Sequence, residues 1–251
     1  MSTSTLAETV TELDTVEWRE PKGLNPRGTV VVLGGRGEPP EVYARFAARL
    51  SADAYRVLVV STADPAGPAA RTEIAALLAD PTLVAPVVLV GSDTGARLAL
   101  DLVGAADSTP AALVLAGLPV GGAAAGAAWA GDEIEARTAC PTHQGVLRQS
   151  SRGSLVDRPV LPRLARGLDL RGVPVLALHG ADDVISPLPG ALDLYRSVGV
   201  TEVQVVSEGR HDILNDVTHR SVAATLVLFL ERLRLERELA PLVVATPTAR
   251  R

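Results

Sequence analysis

Short β-branched and leucine-rich runs recur along the chain at residues 29–33, 56–60, 85–90, 112–116, 174–178 and 202–206. Continuous apolar runs of this kind suit strands covered on both faces, where neither side of the pleat meets water. Between them, residues 41–50, 69–78, 95–102, 188–198 and 219–239 carry apolar side chains at helical spacing. The alternation predicts an α/β fold, a mostly parallel central sheet with helices on both faces. Residues 15–20, Thr15-Val-Glu-Trp18-Arg-Glu20, alternate apolar with polar instead, which suits an antiparallel edge strand with one wet face.

At 251 residues and 47% apolar composition, the chain is long enough to bury a full core, and we read it as one domain spanning 1–251. The alternation stops over 121–172, a stretch richer in Gly, Arg, Ser and Pro, which we read as a short cap inserted over the C-terminal edge of the sheet. Residues 241–251 read as a flexible tail without a role. The uncharged run 111–130 approaches the length of a bilayer-spanning helix, but Pro119-Val-Gly-Gly122 interrupts it and its many alanines contribute little transfer energy. A buried strand followed by a loose loop is the preferred reading.

Charge narrows the partners. Lys+Arg number 24 against 29 Asp+Glu, a net charge of -5, and no basic cluster is interleaved with aromatics, so nucleic acid is excluded. Cys140 is the only cysteine, which rules out an intrachain disulfide and a CxxC motif and fits a reducing compartment. Met1 to Val16 carries Glu8, Glu12 and Asp14 and lacks the basic start and apolar core of a secretory signal, so a cytoplasmic location is expected, with no membrane partner. The pattern leaves the oligomeric state open.

The most informative stretch is Val87-Val-Leu-Val-Gly91-Ser92-Asp93-Thr94-Gly95-Ala96-Arg97-Leu98: an apolar strand, a glycine-flanked pentapeptide, then a helix. It resembles the nucleophile elbow of α/β hydrolases, G-x-Nuc-x-G, with Asp93 in the central position. The flanking glycines fit a strained turn where any side chain would meet the neighbouring strand or helix. Ser92, one position early, would point away from the site.

Two further stretches follow in the family's order. Val175-Leu-Ala-Leu-His179-Gly180-Ala181-Asp182-Asp183-Val184-Ile185-Ser186-Pro187 resembles the strand and loop that carry the triad acid, and the proline four residues on selects Asp183. Helix capping near Pro187 is the competing use of both aspartates, and the one given to Asp182. Ser207-Glu208-Gly209-Arg210-His211-Asp212 resembles the catalytic-histidine loop of the monoacylglycerol-lipase and lysophospholipase branch, with His211 as the histidine. His179 holds a position that family members often use structurally, and His219 has no such context.

The resemblance, which covers roughly residues 28–234, also implies an oxyanion hole. Its amides would come from Thr94 and from the loop Gly34-Gly35-Arg36-Gly37-Glu38, with Gly35 and Arg36 closest to the family's H-G-x-G stretch and Arg36 the donor by position. In the cap, Trp129 and His143 are candidates to touch substrate, Arg137 is expected to pair with a neighbouring acid, and Cys140 to pack as a small hydrophobe. No metal and no organic cofactor is implied.

An aspartate at the elbow changes the chemistry. Its attack on an ester or amide would form a mixed anhydride, an uphill step, so ordinary acyl chemistry is disfavoured. The resemblance leaves a hydrolase with an Asp-His-Asp triad, attacking a small organic substrate at a carbon-leaving-group, epoxide or acyl bond as haloalkane dehalogenases and epoxide hydrolases do. It also leaves a lyase or cyclase of specialised metabolism, with Asp93 and His211 transferring protons. A third reading is a binding protein that kept the fold after losing the serine.

Overall fold

The structure, a computed structural model, describes residues 13–62, 68–105, 109–120, 132–150, 168–200, 202–235 and 239–243. Its strands are β1 (Leu13–Trp18), β2 (Thr29–Leu33), β3 (Arg56–Thr62), β4 (Val87–Ser92), β5 (Ala112–Ala116), β6 (Val175–Gly180) and β7 (Glu202–Val206). They form one sheet in the order β1-β3-β2-β4-β5-β6-β7. β1 runs antiparallel to β3 and every other neighbouring pair is parallel.

The helices are α1 (Ala44–Ala52), α2 (Pro68–Leu78), α3 (Thr94–Gly104), α4 (Glu133–Arg137), α5 (Pro141–Ser150), α6 (Leu188–Ser197) and α7 (His219–Arg234). A 3-10 turn, Pro40–Tyr43, leads into α1. The strand alternation splits the core into two layers. Val30, Val32, Val57, Val59, Val88, Val90, Val114, Leu176 and Leu178 pack with Phe46 and Leu50 of α1 and Leu226 and Phe229 of α7. The intervening Val31, Leu33, Leu89, Leu113, Leu115 and Ala177 pack with Ile74 of α2, Leu98 and Leu102 of α3 and Tyr195 of α6. Each Val, Leu, Ile or Phe side chain among these, taken out of water, contributes roughly 1.5–3 kcal/mol, so both faces of the sheet hold it in place.

The departures from the sequence reading have local causes. The helix expected from residue 41 begins as a 3-10 turn because Pro39 is extended (φ -71°, ψ 163°) and Pro40 has no amide to donate. The strand expected over 85–90 runs two residues later, since Pro86 cannot donate to the ladder and the chain stays extended through Gly91 and Ser92. Of the cap, residues 132–150 are described and carry α4 and α5; α4 is capped by the Asp132 carboxylate, which accepts the Ile134 amide at 2.8 Å. Residues 121–131 and 151–172, apart from 168–172, lie outside the described residues, as do 236–238 of the expected last helix and 244–251 of the tail. Among the described residues no helix is long and apolar enough to cross a membrane, and residues 112–116 of the uncharged run form β5, an interior strand of the sheet.

Candidate active site

The parallel strands β2, β4, β6 and β7 deliver four loops to one end of the sheet. At the first, the chain leaves β4 and enters α3 through Asp93, whose φ of 48° and ψ of -119° lie where side chains are rarely tolerated. Such a conformation costs on the order of 1–3 kcal/mol and persists only where the surroundings enforce it. Here the Asp93 amide donates to the Ala116 carbonyl at 3.0 Å, and its carbonyl accepts the Ala96 amide at 3.0 Å. The flanking glycines are obligatory: a Cβ on Gly91 would sit 2.3 Å from the Ala96 Cα, and one on Gly95 would sit 2.2 Å from the Leu33 carbonyl oxygen.

The second loop follows β2. Its Arg36 amide donates to Oδ2 of Asp93 at 3.0 Å. A Cβ on Gly35 would lie 3.2 Å from the Asp93 Cβ, so the missing side chain lets the loop close against the elbow. Thr94 opens α3 and is buried, and among the described residues its hydroxyl has no hydrogen-bond partner.

The third region joins the loops after β6 and β7. Asp183 is buried, and its Oδ1 accepts the amides of Ile185 at 2.9 Å and Ser186 at 2.8 Å, leaving Oδ2 to take Nδ1 of His211 at 2.8 Å. Asp182 is exposed and takes no part. Nε2 of His211 lies 3.4 Å from Oδ1 of Asp93, an ion-pair separation that leaves Nε2 without a hydrogen bond among the described residues. Glycines again make room: a Cβ on Gly117, at φ +56°, would meet the His211 carbonyl oxygen at 2.5 Å, and one on Gly180 would meet that of Gly209 at 2.2 Å. His179 is structural, with Nε2 donating to the Ser186 carbonyl at 2.7 Å and Nδ1 facing the Tyr195 hydroxyl at 3.1 Å.

The electrostatics follow from this geometry. Burial alone would raise the Asp93 pKa, but the His211 imidazole, then Arg36 and Arg137, hold it well below the ordinary carboxylate range. Burial alone would lower that of His211, but Asp183 and Asp93 together raise it well above its usual value. Both shifts favour the charged forms, a carboxylate at Asp93 and an imidazolium at His211.

Beside the site lies a second buried cluster, which the sequence did not reveal. Arg137 of α4 donates through Nη1 to Glu38 Oε1 at 3.0 Å and through Nη2 to the Arg36 carbonyl at 2.9 Å. The Tyr43 hydroxyl donates to Glu38 Oε2 and accepts the Gly35 amide at 2.9 Å. His143 Nε2 faces Asp212 Oδ2 at 3.2 Å. Burial and the nearby Asp212 push Glu38 up to about 7, against the pull of Arg137.

Ligand atoms of Glu38, His143 and Asp212 lie within 4.8 Å of one another, the one such group found among the described residues, and Arg137 already supplies positive charge there. His143, a candidate to touch substrate, is buried in this cluster, and Arg137 pairs with the acid Glu38 as expected of it. Cys140 is buried, with Arg45 Nη1 3.5 Å from its sulfur, while Trp129 lies outside the described residues. The only local signal for Asp212 was its place beside His211. Glu38 had none, because its charged partner Arg137 is supplied by a helix far along the chain, and Tyr43 enters the cluster through Glu38 and the Gly35 amide.

No protein-family model matches the sequence, and no curated protein matches it. Among solved structures, a monoacylglycerol lipase from Paleococcus ferrophilus is 16% identical, with 86% of this chain and 98% of that chain covered at a TM-score of 0.62. A soluble variant of monoglyceride lipase from Saccharomyces cerevisiae, in complex with a substrate analog, is 14% identical over 88% of this chain and 92% of that chain at 0.65. An esterase from Exiguobacterium antarcticum is 18% identical over 87% and 95% at 0.65. At such identities the likeness speaks for architecture alone. Together with the sheet order and the elbow, it establishes that the chain has the α/β-hydrolase fold.

Proposed function

We propose that the protein is a hydrolase that attacks a small organic substrate at saturated carbon, with Asp93 as nucleophile, His211 as base and Asp183 as the group that orients the imidazole. The observation that carries this reading is the division between the two oxygens of Asp93: Oδ2 accepts the Arg36 amide, while Oδ1 faces His211. A carboxylate held ionised needs no base to activate it.

In the first step Oδ1 forms a C–O bond to the substrate carbon as the leaving group departs with its electron pair. Asp93 loses its charge, and the His211 imidazolium, deprived of one of the two anions that stabilise it, gives up its proton to the leaving group or solvent. Neutral Nε2 then takes a proton from water, and the hydroxide adds to the Asp93 carboxyl carbon. Negative charge builds on Oδ2, where the Arg36 amide already points. Collapse releases an alcohol and restores the carboxylate. For an ester substrate the same geometry is adverse, because Oδ2 occupies the amide that the acyl oxygen would require.

A second reading, elimination or ring closure by proton transfer, draws on the same pair, with Nε2 of His211 3.4 Å from Asp93 as the proton donor. It asks Asp93 to act as a base, which the lowered pKa disfavours. One turnover in heavy-oxygen water separates the two. The covalent reading places the heavy atom in the peptide containing Asp93 and not in the first product; label in the product alone excludes it.

A further inference from the structure

We propose that Arg137 is a positioning residue that holds the Arg36 amide on Asp93 and registers that loop against the His211 loop. The proposal rests on the reading of the Arg36 amide as part of the site. Arg36 is fixed from both sides: its N–H donates to Asp93 Oδ2 at 3.0 Å, and its C=O accepts from Arg137 Nη2 at 2.9 Å. The other arm of the guanidinium, Nη1, takes Glu38 Oε1 at 3.0 Å, two residues further along the same loop. Glu38 Oε2 and the Gly35 amide both meet the Tyr43 hydroxyl. Every polar group of this turn named here therefore ends on Asp93, Arg137 or Tyr43.

The same residue reaches the other loop through its backbone. The Arg137 carbonyl accepts the Asp212 amide at 2.9 Å, and the Ile213 amide donates to the His211 carbonyl at 2.8 Å. One residue of the segment between β5 and β6 thus ties together the two loops that face Asp93 from opposite sides. A planar fork suits this work, because it presents two donors in fixed relation to a carboxylate and a carbonyl at once. Arg137 is 3% exposed, so water does not compete for either partner. A lysine would keep the charge and lose the two-point geometry.

The test is amide hydrogen exchange by NMR on nitrogen-15-labelled full-length protein without any ligand, in wild type, Asp93→Asn, Arg137→Lys and Arg137→Gln. In the wild type the Arg36 amide is protected and shifted downfield, and Asp93→Asn moves it. If Asp93→Asn leaves it unmoved, the reading of the site fails, separately from the role of Arg137. In Arg137→Lys and Arg137→Gln the Arg36 amide exchanges about tenfold faster or more, while sheet amides such as Val114 keep their protection. The His211 Nδ1 proton, held by Asp183, persists in both variants. Unchanged Arg36 exchange in both overturns the proposal, and retention in Arg137→Lys alone overturns the two-point geometry in favour of charge. Should Arg137→Gln not fold, the double variant Glu38→Gln with Arg137→Met, which removes both buried charges together, carries the same prediction.

Discussion

The backbone amide of Arg36 donates to Oδ2 of Asp93 at 3.0 Å, so the side chain at the elbow occupies the donor that the proposed oxyanion hole would offer to the oxygen of a substrate. Shortening that side chain should empty the place. Asp93→Ser is expected to gain cleavage of a short p-nitrophenyl ester with a rapid burst of nitrophenolate, because serine Oγ would face His211 Nε2 and the amide would be released to the acyl oxygen. Stopped-flow absorbance reads the burst. A wild type that cleaves the ester as fast as the variant would contradict this account of the hole.

The elbow also predicts a contrast between two glycines. Gly95→Ala drives a Cβ to 2.2 Å from the Leu33 carbonyl oxygen and should cost about 3 kcal/mol. Gly145→Ala, inside α5 with nothing within 4 Å of its Cβ, should gain roughly 0.5–1 kcal/mol through helix propensity. Urea denaturation of the two variants measures both signs.

The ion pair makes stability depend on pH in a set direction. Asp93 has its folded-state pKa lowered, so its contribution is present above the unfolded value of about 3.9 and is lost only as pH falls through the folded one. His211 has its folded-state pKa raised, so its contribution is complete below about 6.5 and is lost as pH rises through the folded value. Both are present between about pH 4 and 6.5. The melting temperature should therefore fall as pH is raised from that window, and fall less steeply in Asp93→Asn, where one of the two anions that raise His211 is gone. Equal slopes in thermal melts of the two proteins would sink the assignment.

What could be read from the sequence was what local sterics impose. Gly91 and Gly95 record a turn too tight for side chains, and Asp183 and His211 each sit in a short loop whose residues carry their own pattern. The unbroken apolar runs at residues 30–33 and 87–90 recorded the two-sided burial of β2 and β4. Position in its loop singled out Arg36, whose amide donates to Oδ2 of Asp93. The cluster of Glu38, Tyr43, Arg137 and Asp212 was not legible, because its contacts join residues as far apart as 38 and 137, and no periodicity encodes which buried acid meets which distant base. The two short helices of the cap were missed for a related reason: their sequences, Glu133–Arg137 and Pro141–Ser150, are too short and too polar to show a sustained apolar stripe.

As nucleophile, Asp93 becomes covalently attached to substrate, and intact-protein mass spectrometry of His211→Gln detects that attachment. The variant keeps the nucleophile and removes the base that would hydrolyse the intermediate. Incubated with a panel of epoxides, haloalkanes and esters, it should accumulate a substrate-sized adduct that disappears when Asp93→Asn is added. Turnover by the wild type with no adduct on His211→Gln, for any compound that is consumed, would contradict the account and leave proton transfer in its place.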